Sequence, residues 1–187
     1  MKEVLTRSHR LLSVAVVELG LIATDNFLIN PASNIVLLLA TAVGASLPDI
    51  DEYNSTVSRK SLINFSLFLR HRGITHSLLG WLIFAGGLYF LMNYFMPIKI
   101  PPHMVPNYWG SLWLGLVIGY FLHLVEDSFS NQGVNWLQPF FVRKKHGKFL
   151  HYKVNGPFEH IVTFIATSGI IFMTVYWIWI LFKLPKI

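Results

Sequence analysis

The sequence predicts an all-α integral membrane protein, a helical bundle of about five transmembrane helices with a polar site at their cytoplasmic ends. Three observations predict it. Of the 187 residues 13% are charged, about half the usual share of a soluble domain. Hydrophobic residues make up 53%, and the mean hydropathy is +0.52; a soluble globule of this size leaves too much surface in water to bury that much apolar side chain. Apolar stretches also recur at the roughly 20-residue length that crosses a bilayer. The length fits one compact unit, so residues 1–187 read as a single transmembrane domain.

The spans fall at about 11–29, 32–48, 76–98, 108–126 and 159–182. Residues 77–98 and 161–182 carry no charge, and 108–125 is interrupted only by His123. The first two spans are weaker. One contains Glu18 and Asp25; the other is short and begins just after Pro31, a good first-turn residue. They form a tight hairpin turning at Asn30-Pro31, or a tilted or partly re-entrant pair. The basic start resembles a signal peptide, but Glu18 interrupts the apolar region and no small-x-small site follows cleanly. The expectation is therefore no cleavage.

Charge sets the orientation. With five spans and the N-terminus inside, twelve of the fifteen basic residues lie on the inner side, and only Lys99, Lys183 and Lys186 outside. That bias predicts a multi-pass protein of the inner (cytoplasmic) membrane with a cytoplasmic N-terminus. In so apolar a chain, the net charge of +6 points to anionic lipid headgroups rather than nucleic acid. No cysteine is present, so thiolate metal sites, disulfides and cysteine nucleophiles are excluded.

On this topology the histidines and carboxylates gather on one face. His9 precedes the first span. Asp49 and Asp51 follow the second in Leu47-Pro48-Asp49-Ile50-Asp51. His71 and His76 flank the start of the third in His71-Arg72-Gly73-Ile74-Thr75-His76-Ser77, His123 and Asp127 close the fourth, and Glu159 and His160 open the fifth. His123 and Asp127, four apart, share a helix face and can reach one metal; alone, a capping pair explains them equally well. Asp49 and Asp51 fit plain turn chemistry, or a cation that relieves their repulsion. Thr75 or Ser77 can cap the next helix and fix His76 at its mouth. Arg72 suits a phosphate or carboxylate, or anchors the helix at headgroups. His103, His146 and His151 lie in loops with no such pattern, and the six tryptophans read as interfacial or lipid-facing. Gly110, Gly115 and Gly119 permit close helix packing. Glu18 is either part of the bundle interior or an interfacial residue.

The ordered set Leu-Pro-Asp-Ile-Asp, His-Arg-Gly-Ile-Thr-His-Ser, Gly119-Tyr120-Phe121-Leu122-His123-Leu124-Val125-Glu126-Asp127-Ser128, Gly133-Val134 and Trp136-Leu137-Gln138-Pro139-Phe140 resembles the YdjM-like family. These are bacterial inner-membrane proteins described as membrane-bound, metal-dependent hydrolases, one branch of them under LexA control. The resemblance runs from about His9 to Glu159. Its polar set matches His9, Asp49, Asp51, His71, His76, His123, Asp127 and Glu159. Two departures stand out: Ser8 where the family usually has Gly, and Ser130-Asn131-Gln132 where it tends to have Thr-Pro.

Together these readings predict hydrolysis of a phosphoester in a lipid or membrane-associated substrate by a metal-activated water. His9, Asp49, Asp51, His76, His123 and Asp127 are the expected ligands of a divalent metal. Zinc is the first choice, with manganese or iron as alternatives. Arg72 would bind phosphate, Glu159 would ligate or act as base, and His71 would orient a ligand or water. The expected partner is membrane lipid, with no nucleic acid. The alternatives are a non-enzymatic protein with a structural metal and, third, a metal-ion transporter, which would place ligands near mid-membrane.

Overall fold

The structure is a computed structural model that describes residues 2–51, 73–98, 107–130, 133–140 and 156–183. Among the described residues it is helical, with no strand. Five α-helices run in order: α1 (Lys2–Ala23), α2 (Pro31–Gly44), α3 (Leu78–Phe95), α4 (Tyr108–Ser128) and α5 (Pro157–Lys183). Short 3-10 turns lie at Asn26–Leu28, Pro48–Asp51 and Ile74–His76.

Local chemistry sets the helix starts. Pro31 opens α2, and the Asn30 side chain accepts from the Ser33 amide at 3.2 Å. Ser77 caps α3 by accepting from Gly80 N at 3.1 Å, and Asn107 caps α4 through Gly110 N at 2.7 Å. Each of these side chains satisfies an amide that the first turn leaves without a partner. Between α1 and α2 the chain reverses earlier than the sequence suggests. Asp25 takes a left-handed conformation (φ 54°), which a short polar side chain tolerates, and so the first helix stops at Ala23 rather than near residue 29.

Among the described residues, four stretches are long and apolar enough to cross a membrane: Pro31–Ile50, Leu78–Phe95, Tyr108–Ser128 and Pro157–Lys183. The first helix, α1, has 22 residues, but Lys2, Glu3, Arg7 and Arg10 occupy its first half and Glu18 its second. It packs along α5 and α2 and also touches α4.

Helices α2 and α4 make the closest pairing. A side chain on Gly44 would overlap the Leu116 backbone. On Gly115 it would meet the Leu37 carbonyl and Ala40, and on Gly119 the Thr41 carbonyl. Only hydrogen at these positions lets the backbones meet, as small residues do at membrane helix interfaces. The third helix is joined to α4 differently. The indoles of Trp81, Trp109 and Trp113 donate to the carbonyls of Val117, Met92 and Ala85, each at 3.0 Å. These tryptophans are cross-helix donors, a role that their reading as interfacial or lipid-facing did not include. An indole inside an apolar bundle needs an acceptor, and the neighbouring helix backbone supplies one.

The two ends of the bundle differ. At one end Leu21, Phe27, Leu37 and Trp177 form an apolar plug, with Phe27 and Trp177 edge to face at 6.3 Å. The outward faces of α3 and α5 are apolar and bare; Phe90 is 75% and Phe172 74% exposed, as lipid-facing side chains are. At the other end the start of α1, the end of α2, the start of α3, the end of α4 and the start of α5 converge on buried polar residues.

Candidate metal centre

The centre is built outward from α4. His123 and Asp127 lie one helical turn apart, and both are buried. His123 Nδ1 donates to the Ala45 carbonyl at 2.7 Å, just past the end of α2, where a carbonyl has no helical partner. The turn Pro48–Asp51 then brings Asp49 to within 3.6 Å of His123 Nε2. The α2–α4 glycine seam makes this possible by holding the end of α2 against α4.

His76 comes from the turn Ile74–His76. Tyr120 Oη donates to the Thr75 carbonyl at 2.6 Å, Ser77 Oγ to the Ile74 carbonyl at 2.6 Å, and Leu78 N to the Trp136 carbonyl at 3.0 Å. Gly80 gives the turn room to fold back over α3, since a side chain there would overlap the Ile74 carbonyl. His76 is thereby fixed with Nε2 at 3.7 Å from Asp127 Oδ2, while its Nδ1 lies 3.3 Å from Thr75 Oγ1. His9 arrives from α1. Its ring lies 4.3 Å from that of His123, centre to centre, with Nε2 at 3.5 Å from Asp127 Oδ1.

Three imidazoles thus present Nε2 to two carboxylates, while each Nδ1 faces an oxygen of the protein. A metal-ligating histidine is normally oriented in this way. The inward nitrogens of His9 and His123 are buried and have no hydrogen-bond partner among the described residues. Their contacts to carboxylates, at 3.5 to 3.8 Å, are too long for hydrogen bonds. They do match the roughly 3.4 Å edge of a tetrahedron with bonds of about 2.1 Å. Among the described residues, two groups could hold a metal ion: His9, His123 and Asp127, and Asp49, His76 and His123, with ligand atoms within 4.8 Å of one another in each. They share His123. Its Nδ1 is engaged by Ala45, so it offers one ligand atom, whereas Asp127 turns one oxygen to His9 and the other to His76 and His123.

Around this centre lies a second layer. The Glu126 carboxylate accepts from His9 Nδ1 through Oε2 and from Ser13 Oγ, at 3.0 Å, through Oε1. Sequence reasoning missed Glu126. It stands beside Asp127 in the chain, about 100° away around the helix, and only the position of α1 shows that it meets His9. Arg10 Nε donates to Ser46 Oγ at 2.6 Å, which puts a cation beside the last carbonyls of α2. Ser8 Oγ donates to Glu159 Oε1 at 2.7 Å, which adds a bond from α1 to α5. Ser130 Oγ donates to the Asp127 carbonyl at 2.8 Å and holds the end of α4.

Of the residues singled out from the sequence, the structure brings together His9, Asp49, His76, His123 and Asp127. Glu159 is buried, one helix removed from the cluster on Ser8, and His160 faces outward. Asp51 closes its turn as part of the backbone; its side chain, together with His71, Arg72, His103, His146 and His151, lies outside the described residues. Glu18 is not at the centre. It is buried two turns further along α1 and accepts from Thr174 Oγ1 on α5 at 2.8 Å.

The fold and this cluster define a multi-pass membrane protein with a buried His/Asp group able to hold a metal ion. The chain belongs to the YdjM inner membrane protein family, which matches residues 4–186. Two Bacillus subtilis proteins are similar to it. "Uncharacterized protein YvsG" is 31% identical over 152 residues, 79% of this chain and 81% of that protein. "Uncharacterized protein YfhP" is 30% identical over 138 residues, 72% of this chain and 37% of the longer relative. No solved structure matches the chain significantly.

Proposed function

We propose that the protein is a metal-dependent hydrolase of the cytoplasmic membrane that cleaves a phosphoester in a lipid or membrane-associated substrate. One observation carries the reading: three buried histidines turn Nε2 toward Asp49 and Asp127, while each Nδ1 faces a protein oxygen. His9, Asp49, His76, His123 and Asp127 would hold the cation, with Asp51 beside them. The nitrogen and oxygen donors suit zinc first, then manganese or iron. Such a cation polarises a phosphoryl oxygen and lowers the pKa of water toward neutrality.

The chain's own residues do the rest. Glu126 orients His9 and makes it a better donor. Arg72 would receive the substrate phosphate, which a planar two-pronged donor fits better than an ammonium does. Glu159 would hold or take up a proton near His9, and His71 would orient a ligand or a water. The positive-inside bias supports a cytoplasmic location for this end of the bundle.

The second reading is a structural metal tying helix ends together, and the complete burial of the cluster favours it. A transporter ranks third, because the donors gather at helix ends rather than at mid-helix.

Metal per protein, measured by elemental analysis after purification in detergent, tests the centre, and phosphate release from a panel of phosphomonoester and phosphodiester lipids tests the activity. We expect about one or two metal equivalents, with release abolished in His123→Ala. Bound metal with no activity across the panel leaves the structural reading. Arg72→Lys should slow turnover with metal content intact; equal turnover removes Arg72 from the site. Reporter fusions at Lys2, Lys148 and Ile187 test the orientation, and a cytoplasmic signal at Ile187 contradicts the five-span topology.

A further inference from the structure

A cavity of about 410 Å³ lies between α1, α4 and α5. One end is polar, closed by Ser8, His9, Glu126 and Glu159. The walls are apolar, with Leu12 and Val16 on α1, Val125 on α4 and Val162 on α5. Ser8, Leu12 and Val16 are four residues apart, so they form one stripe along α1. From Ser8 to Val16 that stripe runs about 12 Å along the helix, away from the metal centre. Val16 and Phe158 at the rim are 47% and 58% exposed, so the cavity opens sideways.

These features select an occupant. The walls offer no hydrogen-bonding partners, so water does not fill the cavity. Val16 lies in the apolar half of α1 and Phe158 in the first turn of the membrane-crossing α5, so the opening borders the bilayer, whose lipids supply acyl chains. A bare apolar groove would say no more than that. This one ends on two buried hydrogen-bonded pairs, Ser8–Glu159 and His9–Glu126, the second of which carries a histidine of the metal centre. Apolar length with a polar end is the shape of an amphiphile.

We propose that the groove seats an acyl chain of a membrane lipid, with the lipid's polar linkage at the Ser8, His9, Glu126 and Glu159 end. The substrate is then an acylated lipid drawn in sideways from the bilayer, not a water-soluble phosphoester. The substrate assignment rests on the hydrolase reading above; the seat itself rests only on the cavity and its membrane setting.

The experiment reconstitutes the whole protein in dioleoyl phosphatidylcholine vesicles. A minor fraction of phosphatidic acid carries a photoactivatable diazirine on its acyl chain, and adducts are mapped by mass spectrometry. Adducts are expected to concentrate at Leu12, Val16, Val125 and Val162. Filling the groove with Val125→Trp, or independently Val162→Trp, should lower them about tenfold with metal content unchanged. Adducts spread evenly over the outer faces of α3 and α5, and unaffected by either filler, overturn the seat. In a parallel assay, phosphate release from dioleoyl phosphatidic acid and not from glycerol phosphate supports the substrate class, and equal release from both overturns it. If neither is hydrolysed although metal is bound, the hydrolase reading falls, and the adduct map decides the groove by itself.

Discussion

The two ends of this bundle solve opposite problems. The plugged end packs Leu21, Phe27, Leu37 and Trp177 against one another. It contributes contact and shape. The other end gathers three histidines and two aspartates with almost no exposure. Carboxylates taken out of water are costly unless paired or coordinating a metal, and here the long His–Asp contacts supply only part of that pairing. Stability should therefore be concentrated at the plugged end and metal affinity at the polar end, so that each can be damaged with little effect on the other.

The sharpest break of that contrast is Asp127→Asn. It removes the carboxylate that faces all three histidines, so bound metal should fall to background in elemental analysis. The metal-free protein should keep or raise its thermal midpoint, since a buried charge is lost and the shape retained. A lowered midpoint with metal still present would mean that the polar end is structural after all.

Glu126→Gln probes one layer out. The amide cannot match a carboxylate as acceptor for His9 Nδ1, so metal affinity should weaken about 10- to 100-fold in a competition titration against a chelator. Unchanged affinity would make Glu126 a helix-packing residue.

Phe27→Ala tests the opposite end. Removing the ring from the plug should destabilise the fold by about 3 kcal/mol, read by thermal or denaturant unfolding in detergent. Metal per folded protein should be unchanged; a parallel loss of metal would show the two ends coupled. The smallest effect belongs to Thr174→Val. It deletes the hydrogen bond to Glu18 between α1 and α5, and bonds of this kind in membrane proteins average about 0.6 kcal/mol. A loss of several kcal/mol would mean that Glu18 organises the whole α1–α5 interface.

The division between the ends also governs what the sequence disclosed. Helix starts were legible because capping is local. Pro31 and Ser77 act within one turn of themselves. His123 and Asp127 were legible as a pair because a spacing of four is geometric. The early end of α1 was not, because hydropathy continues through Phe27-Leu28-Ile29 while the backbone has already turned at Asp25. The layer around the histidines was hidden for a different reason. The partner of His123 is the Ala45 carbonyl, and a backbone acceptor has no residue type to recognise. Glu126 depends on the approach of α1 over a separation of 117 residues. The cross-helix bonds of Trp81, Trp109 and Trp113 were also hidden, because their acceptors are backbone carbonyls.

The order in which the five candidate donors occur along the chain has a consequence for biogenesis. His9, Asp49 and His76 precede α4, and His123 and Asp127 stand near its end. A ribosome adding about 5–20 residues per second therefore releases three of the donors seconds before the other two. Both candidate triads include His123, so neither exists in the nascent protein until α4 has been synthesised. A cation held by either group would then have to wait for α4 to meet the earlier segments, and its capture would report that assembly.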